Sequence, residues 1–239
     1  MLLCLAACAH KPPAENPVAL AAYEEANDPL EPLNRSMLKV DESLDKVLVR
    51  PITGAYRTVV PAGGRAAVGH FVDNLRSPVT FINDVLQGEF SRAGTTLGRL
   101  VVNTGVGFFG FFDVADRWGM PYHSEDFGQT LAVWGVGDGP YVYIPLLGPS
   151  TARDGIGFGI DTFFVDPISW YSYGDGSPGW VQWAYFGMVY VDTKDSVQDV
   201  LDELKKSSLD YYAALRSSYR QIRASEIRNG AAPPMEDFE

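Results

Sequence analysis

Apolar residues recur at helical spacing through the first half of the chain. They stand three or four positions apart at Val68, Phe71, Val72, Leu75, Val79, Ile82, Val85 and Leu86. This period predicts an amphipathic helix. Ser77 followed by Pro78 is typical of an N-cap and a first helical residue, so the pattern further predicts that two helices meet there.

A second helical pattern occupies residues 192–229. One apolar stripe ends at Leu204, and the next begins five positions later at Leu209. Ser207 with Asp210 resembles a capping box in which Asp replaces Glu. We therefore predict two amphipathic helices, broken near Ser207, that pack on the body of the protein. Residues 230–239 should form a disordered acidic tail.

An uncharged segment of 13 residues, 100–112, lies between Arg99 and Asp113. As a helix it would extend about 20 Å, which is short of the roughly 30 Å hydrocarbon core of a bilayer. We expect it to enter one leaflet or to line an apolar cavity, with Arg99 and Asp113 at the headgroups. An ordinary buried core element is the alternative.

Two later segments are also apolar. Residues 139–152 carry no charge but contain three prolines, and within them the spacing from Tyr141 to Leu147 favours a strand. Residues 163–191 are rich in Trp and Tyr, which settle at bilayer interfaces. Burial in a protein core would explain both segments equally well.

Gly105, Gly107 and Gly110 have the spacing of a dinucleotide-binding turn, G-x-G-x-x-G. Such a turn needs a helix directly after the glycines. Here Gly119 and Pro121 interrupt any helix within about three turns, and the side chains of the neighbouring phenylalanines have no group that could bind phosphate. We expect no nucleotide site and no cofactor.

Composition narrows the function classes. The 239 residues suffice for one sizeable globular domain, and 13% of them are aromatic. The formal net charge of -11 argues against nucleic-acid binding, because neutralising phosphates requires clustered Lys and Arg.

The N-terminal residues are typical of processing rather than of fold. Leu5-Ala6-Ala7-Cys8 resembles a bacterial lipobox, so we expect residues 1–7 to be the remnant of a signal peptide and Cys8 to be acylated. No basic residue precedes Leu2, so the signal is expected to start upstream. Residues 8–26 would form a lipidated linker, and several acyl chains hold a protein firmly on a bilayer.

Candidate catalytic groups are few. Gly148-Pro149-Ser150-Thr151-Ala152 resembles a nucleophile elbow, but the elbow's histidine should follow the serine, and every histidine precedes Ser150. We favour Ser150 or Thr151 as the cap of a helix that begins near Ala152. The group of His123, Glu125 and Asp126 fits no strong metal motif and suggests a solvated acidic loop. We expect neither a catalytic residue nor a metal ligand.

Five collinear motifs resemble the MlaA (VacJ) family of outer-membrane lipoproteins. They are NDPLEPLNRSM at 27–37, VRPITGAYRTVVP at 49–61, NLRSPVTFINDVLQGE at 74–89, TLGRLVVNTGVGFFGFFDVA at 96–115 and EDFGQTLAVWGVGDGPYVYIPLLGPSTARDGIG at 125–157. The resemblance covers roughly residues 27–190.

The resemblance implies a mainly α-helical, ring-shaped single domain over residues 27–191, embedded in the periplasmic leaflet of the outer membrane. Mislocalised phospholipid would pass from the outer leaflet through a central channel to the periplasmic carrier MlaC, and trimeric porins would be partners. No chemical reaction is implied. For residues 141–147 the resemblance favours irregular or helical backbone over a strand.

From the apolar pattern and the family resemblance together, we predict that segments 100–112 and 135–141 border the lipid path or face the membrane. The candidate residues are Val106, Phe108, Phe109, Phe111, Phe112, Gly135, Gly137 and Tyr141. Two other functions stay open from the residues alone, a serine lipid hydrolase that uses Ser150 and a structural lipoprotein that transports nothing.

Overall fold

The computed structural model describes residues 26–173 and 179–232, together with the single positions 12, 16, 20 and 23. Cys8, the predicted signal segment 1–7 and most of the predicted tail lie outside the described residues.

The described part of the chain is mainly α-helical, as predicted. Its helices are α1 (Glu31–Leu44), α2 (Arg50–Val59), α3 (Ala62–Gln87), α4 (Phe90–Gly105), α5 (Val114–Arg117), α6 (Phe127–Val133), α7 (Ala152–Ile160), α8 (Pro167–Tyr173), α9 (Trp180–Ser207) and α10 (Tyr211–Ile227). A π-helical turn, Asp45–Val49, joins α1 to α2, and another, Asp161–Val165, follows α7.

Helix α3 corrects the prediction of two helices meeting at Ser77. The helix continues through Pro78 and ends only at Gly88, which is left-handed with φ 81°. The Ser77 hydroxyl donates to the carbonyl of Asp73 (3.1 Å) instead of capping a helix. An internal proline costs about 3 kcal/mol. The long packing contact of α3 with α4 offsets that cost.

A two-stranded antiparallel hairpin follows α6. Strand β1 (Tyr141–Ile144) pairs with β2 (Gly148–Thr151), with Tyr141 opposite Thr151. The strand predicted from spacing is confirmed over β1, and the irregular or helical backbone implied by the resemblance is wrong there. Alternate side chains of β1 point inward, so the alternation of apolar residues in the sequence corresponds to burial in the structure.

The break between the two C-terminal helices is confirmed, but its cap is not the predicted one. Asp210 caps α10 by accepting from the amide of Ala213 (3.2 Å). Ser207 is the last residue of α9, and its hydroxyl donates to the carbonyl of Glu203. Helix α9 begins at Trp180, so it runs without interruption past the predicted boundary at 191/192.

The fold has two different interiors. One is an aromatic core cluster of Leu38, Tyr141, Tyr143, Tyr212 and Leu215, where α1, β1 and α10 meet. The other lies among α3, α4, α6 and the second π-helical turn. We call it the polar interior; its buried side chains include Asn83, Asp84, Thr96, Thr130 and Asp161.

Candidate lipid-contacting surface

Large apolar side chains cover much of the outside of the described structure. The most exposed are Val47, Val59, Phe90, Val101, Val106, Phe108, Phe109, Trp118, Ile156, Phe164, Tyr171, Trp180, Trp183, Val200 and Leu209. Scattered apolar residues are normal on any protein, but so many large ones are not. Extensive exposed apolar surface marks contact with a membrane or with another protein.

The buried side chains show the reverse pattern. Many polar and charged side chains are buried, and the polar interior is a continuous hydrogen-bond network. Asn83 donates to Asp161 (3.0 Å) and accepts from Thr130 (2.7 Å), while Thr96 donates to Asp84 (2.7 Å). Buried polar groups are tolerated only when they are paired. The interior therefore holds together by hydrogen bonds where a soluble protein would use apolar packing.

The candidate residues after α4 lie in one loop, residues 106–112, which we call the phenylalanine loop. Val106, Phe108, Phe109 and Phe112 each expose about 60% of their surface (63%, 64%, 62% and 59%). Phe111 differs, because its ring stacks on that of Phe71 with centroids 4.7 Å apart. Four of the five candidates thus project outward and one packs back on α3.

The phenylalanine loop has an unusual backbone. Phe108 (φ 52°), Phe109 (φ 60°) and Gly110 (φ 96°) are consecutive left-handed residues. Bulky residues rarely adopt this conformation. Backbone bonds hold it: the amide of Phe109 donates to Thr104 (3.1 Å) and that of Gly110 to Asn103 (2.8 Å). Strain maintained in this way concentrates at functional sites.

The glycines of this region serve close backbone packing. A Cβ on Gly107 would lie 2.3 Å from the carbonyl oxygen of Phe112, and one on Gly110 would lie 2.5 Å from the Cβ of Asn74. No such crowding exists at Gly105. The spacing that resembles a nucleotide-binding turn therefore reflects two tight contacts within this loop and against α3.

A buried ion pair lies beside the loop and corrects a prediction. Arg99, only 6% exposed, donates to Asp113 (2.7 Å), so the two charges pair with each other and do not lie at headgroups. Burial would raise the pKa of Asp113, but the bonds from Arg99 and Asn103 outweigh it and lower the pKa below its usual range. Asp113 also caps α5 through the amide of Asp116 (3.1 Å).

Asn74 on α3 supports the loop, and sequence reasoning missed it. Its amide donates to the hydroxyl of Thr104 (2.9 Å) and to the carbonyl of Phe109 (3.3 Å). In the sequence, Asn74 lies among apolar residues at helical spacing. A polar residue at such a position is expected to be buried and so to need a hydrogen-bond partner, which could have identified it.

The second candidate segment runs from α6 to β1. Gly135 (φ 89°) and Gly139 (φ 67°) are left-handed, and a Cβ on Gly135 or Gly137 would meet no atom within 4 Å. This part is open on the surface. Tyr141 is instead fully buried in the aromatic core cluster, so it does not face the membrane or an open path.

Ser150 lies in β2, directly before the residue that caps α7. The predicted cap is confirmed at Thr151, whose hydroxyl accepts from the amide of Asp154 (3.2 Å) at the start of α7. The Ser150 hydroxyl donates to the carbonyl of Thr151 (3.3 Å). His123, the histidine nearest in sequence, lies 3.0 Å from Asp84 and belongs to the polar interior.

The prediction of a solvated acidic loop at 123–126 is wrong. Glu125 is 2% exposed and accepts from Arg92 (2.6 Å) and Gln87 (3.0 Å). Asp126 caps α6 through the amide of Gln129 (2.9 Å). Burial raises the pKa of Glu125 despite these bonds. The sequence concealed the partners, which lie more than 30 positions away.

None of the described helices is long and apolar enough to cross a bilayer. The profile of the MlaA lipoprotein family matches residues 26–226. The chain belongs to the MlaA lipoprotein family.

Individual relatives agree with the MlaA assignment. The chain is 34% identical to the intermembrane phospholipid transport system lipoprotein MlaA of Escherichia coli, over 88% of this chain and 82% of the relative. It is 32% identical to the uncharacterized protein RC0123 of Rickettsia conorii, over 85% and 79%. A solved structure described as "Structural basis for maintenance of bacterial outer membrane lipid asymmetry" matches with a TM-score of 0.72 and 30% identity, over 84% of this chain and 98% of that one.

The MlaA resemblance stated from five motifs is thus confirmed. The motif at 74–89 lies in α3 and at its end, and the motif at 96–115 contains most of α4 and the whole phenylalanine loop. The family motifs therefore coincide with the most unusual backbone of the described structure.

Proposed function

We propose that this MlaA family member is an outer-membrane lipoprotein that removes phospholipid from the outer leaflet. Acyl chains on Cys8 anchor it, and the helical domain, shaped as a ring, lies in the periplasmic leaflet. Phospholipid passes through the domain to the periplasmic carrier MlaC, beside a trimeric porin. The names of the relatives support phospholipid transport, and the family motifs support the rest by resemblance.

The observation that carries the proposal is the inverted distribution of side chains. Apolar residues cover the outside, and paired polar residues fill the interior among α3, α4 and α6. In a lipid environment exposed apolar side chains cost nothing, and polar packing inside a domain is what holds helices together. A lipid carrier needs both an apolar surface for acyl chains and polar groups for the headgroup.

The phenylalanine loop supplies the acyl-chain contact in this proposal. Its four projecting side chains are held by a rigid backbone and by Asn74, so little conformational entropy is lost on contact with lipid. The open glycine segment 135–139 lies on the other border of the path and lets the headgroup pass.

The central experiment places a charge on the loop. Phe108→Asp, expressed in a strain that lacks this protein, should fail to restore low outer-leaflet phospholipid, because a charged group in hydrocarbon costs several kcal/mol. Two assays measure phospholipid in the outer leaflet: acylation of lipopolysaccharide at the cell surface, and labelling of surface-exposed phospholipid.

Val200→Asp is the matched control. Val200 is 69% exposed, much like Phe108, but it lies on α9, outside both segments that are proposed to border the lipid path. It should complement fully. Normal lipid asymmetry with Phe108→Asp at normal protein levels would contradict the placement of the path.

The hydrolase and scaffold alternatives make different predictions. Ser150→Ala should leave lipid asymmetry unchanged, whereas a hydrolase would lose all activity. The wild-type protein, purified in detergent, should retain phospholipid detectable by mass spectrometry. Complete absence of bound phospholipid would favour a scaffold that transports nothing.

A further inference from the structure

A small polar cavity lies beside the phenylalanine loop, between α3, α4 and the residues before α6. Its volume of about 10 Å³ is what a single water-sized group requires. All eight of its lining residues carry polar side chains. Four of them, His70, Asp73, Asn74 and Ser77, lie on one face of α3. Tyr122 also lines it and is 43% exposed, so the cavity adjoins the surface. We call it the α3 cavity.

Asn74 contributes an unused acceptor to the wall of the α3 cavity. The side chain is 7% exposed. Its Nδ2 donates to Thr104 and Phe109, whereas its Oδ1 is buried and has no hydrogen-bond partner among the described residues. A buried acceptor without a donor is costly. An N–H or O–H group placed in the cavity would remove that cost.

Asp73 contributes a carboxyl group without a direct cationic partner. Burial raises its pKa, and the hydrogen bond from the Tyr122 hydroxyl offsets the rise only in part. Arg76, His70 and Arg99 oppose the rise from a distance. Among the described residues, none of them forms an ion pair with Asp73. A cation in the cavity would stabilise the buried carboxylate.

The other charged groups around the α3 cavity do not supply that cation. Asp113 in the wall is already paired with Arg99 (2.7 Å). Asp192 on α9 adds negative charge near Asp73. The cavity therefore favours a positively charged group that carries hydrogen-bond donors and is no larger than a water molecule.

Arg76 supplies an unpaired cation next to the α3 cavity. It follows Asp73 by three positions on α3 and is half-buried. Within the part of the chain that the structure describes, it forms neither a hydrogen bond nor an ion pair. It acts from a distance on Asp161 and Asp166, which accept hydrogen bonds from other groups. Its guanidinium group is therefore available for a phosphate, which arginine binds through paired N–H donors.

The two unpaired charges have the spacing of a zwitterion. Side chains three positions apart on a helix are about 5–6 Å apart at Cβ. In an ethanolamine phosphate, a short ethylene spacer gives the ammonium and the phosphate a similar separation. A water molecule in the cavity would bond Asn74 but leave Asp73 and Arg76 without opposite charges. A trimethylammonium group has no N–H donor and is larger than the cavity.

We propose that the α3 cavity binds the primary ammonium of phosphatidylethanolamine, with the phosphate on Arg76 and the acyl chains along the phenylalanine loop. This site deepens the proposed transport function and rests on it, because it makes the cavity the place where the protein selects lipids by headgroup. Asn74 connects the two contacts, since the same amide lines the cavity and holds the carbonyl of Phe109.

The first experiment compares headgroups by isothermal titration of the purified full chain in an uncharged detergent. The probes are dihexanoyl phosphatidylethanolamine, phosphatidylcholine and phosphatidylglycerol, each below its micelle concentration. Phosphatidylethanolamine should bind about tenfold more tightly than either of the others, because one charge-assisted contact is gained. Equal affinities for the three lipids would overturn the proposal and leave a cavity that holds water only.

Asp73→Asn removes the negative charge but keeps an acceptor for Tyr122. It should abolish the preference for phosphatidylethanolamine while phosphatidylcholine binds as it does to the wild type. Asp116→Asn is the matched control, since it changes an exposed acid of α5 outside the lining, and it should keep the preference. Equal weakening of both lipids by Asp73→Asn would indicate a purely structural role and overturn the proposal, as would an unaltered preference.

Arg76→Gln tests the phosphate contact independently of Asp73. Phosphatidylethanolamine and phosphatidylcholine should both bind about tenfold more weakly, with their ratio unchanged, because both carry the phosphate. Arg117→Gln, at an exposed arginine of α5, is the matched control and should bind like the wild type. Wild-type affinities for Arg76→Gln would refute the phosphate contact. This comparison and the wild-type titration decide the proposal even where Asp73→Asn does not fold.

Ethylammonium chloride forms a further arm of the titration. It should bind at least tenfold more weakly than the short-chain phosphatidylethanolamine, and equal affinity would replace the lipid site by a site for free ammonium ions. Restoration of lipid asymmetry by the wild type, together with no headgroup preference, would refute the α3 site while leaving the proposed function intact. Failure of the wild type to restore asymmetry would refute that function instead.

Discussion

The polar interior and the aromatic core cluster stabilise one chain by opposite means. The first joins α3, α4 and α6 through hydrogen bonds between buried side chains, and the second joins α1, β1 and α10 through packed tyrosines and leucines. Apolar packing is driven by water, whereas hydrogen bonds between helices remain effective without it. The difference shows which part of the fold is suited to a lipid environment.

The ion pairs of two regions of the molecule also differ in how far their side chains are exposed. Near the phenylalanine loop, Arg99 and Asp113 pair in a buried site. On the side of α9, the arginines are more exposed than Arg99: Arg57 and Arg65 pair with Asp195, and Arg57 also reaches the exposed Asp199. The first two predictions below test whether buried polar groups govern stability in the first region, and the third tests the tight backbone packing of the phenylalanine loop.

The largest effect is expected from Arg99→Met. The variant keeps most of the side-chain length but leaves the half-buried carboxylate of Asp113 without its cationic partner. Such a loss costs about 3–5 kcal/mol of unfolding free energy. Urea-induced unfolding in a fixed detergent measures it, with helix content as the signal.

Arg57→Gln is the comparison for that experiment. It breaks the ion pairs of Arg57 with Asp195 and Asp199 while Arg65 still pairs with Asp195, and such pairs near the surface contribute about 1 kcal/mol or less. Similar destabilisation by both variants would show that the two regions do not differ as described.

The next effect concerns pH and Asp161 in the polar interior. Burial raises the pKa of Asp161 to about 6 from its ordinary 3.8, although bonds from the Phe127 amide and from Asn83 oppose the shift. The folded state therefore holds the proton more tightly than the unfolded chain. The free energy of unfolding should fall as pH rises from 3.8 to about 6, by about 3 kcal/mol in total.

Asp161→Asn isolates this contribution from those of other acids. Relative to the variant, the wild type should lose stability between pH 4 and pH 7 in urea titrations at several pH values. A constant difference between the two proteins across that window would rule out the titration of Asp161.

The smallest effect is expected from Gly107→Ala in the phenylalanine loop. The added Cβ meets backbone oxygens of Phe112 and Asn103, so the loop must shift at a cost of about 1–3 kcal/mol. Gly94→Ala on α4 meets no atom within 4 Å and should stabilise by about 0.5–1 kcal/mol. Thermal unfolding distinguishes the two, and equal signs would contradict the tight contact.

Local patterns in the sequence predicted the elements whose causes are local. The strand at β1, the cap at Thr151 and the break between α9 and α10 follow from side-chain period and capping chemistry within a few residues. Ser77 and Pro78 misled because their local preference for a helix start was outweighed by the packing of α3 on α4.

The candidate site was predictable only in part. The exposed phenylalanines follow from an uncharged segment too short to span a bilayer. The buried pairing of Arg99 with Asp113, and of Glu125 with Arg92, depends on tertiary contacts that no spacing rule encodes. Tyr141 looked like a surface residue because of its glycine neighbours, yet the alternation of β1 turns it inward.

The π-helical turn Asp45–Val49 joins α1 to α2 without a break in the helical path. It accommodates one residue more than an α-helical turn, while Val47 and Leu48 face outward and Val49 is buried. Because the turn is wound more loosely, its five residues rotate the chain by about as much as four α-helical residues do, so the extra residue leaves the buried side of α2 where α1 would place it. Deleting one residue within the turn should therefore preserve both the helix content and the face of α2 that carries the buried Thr53.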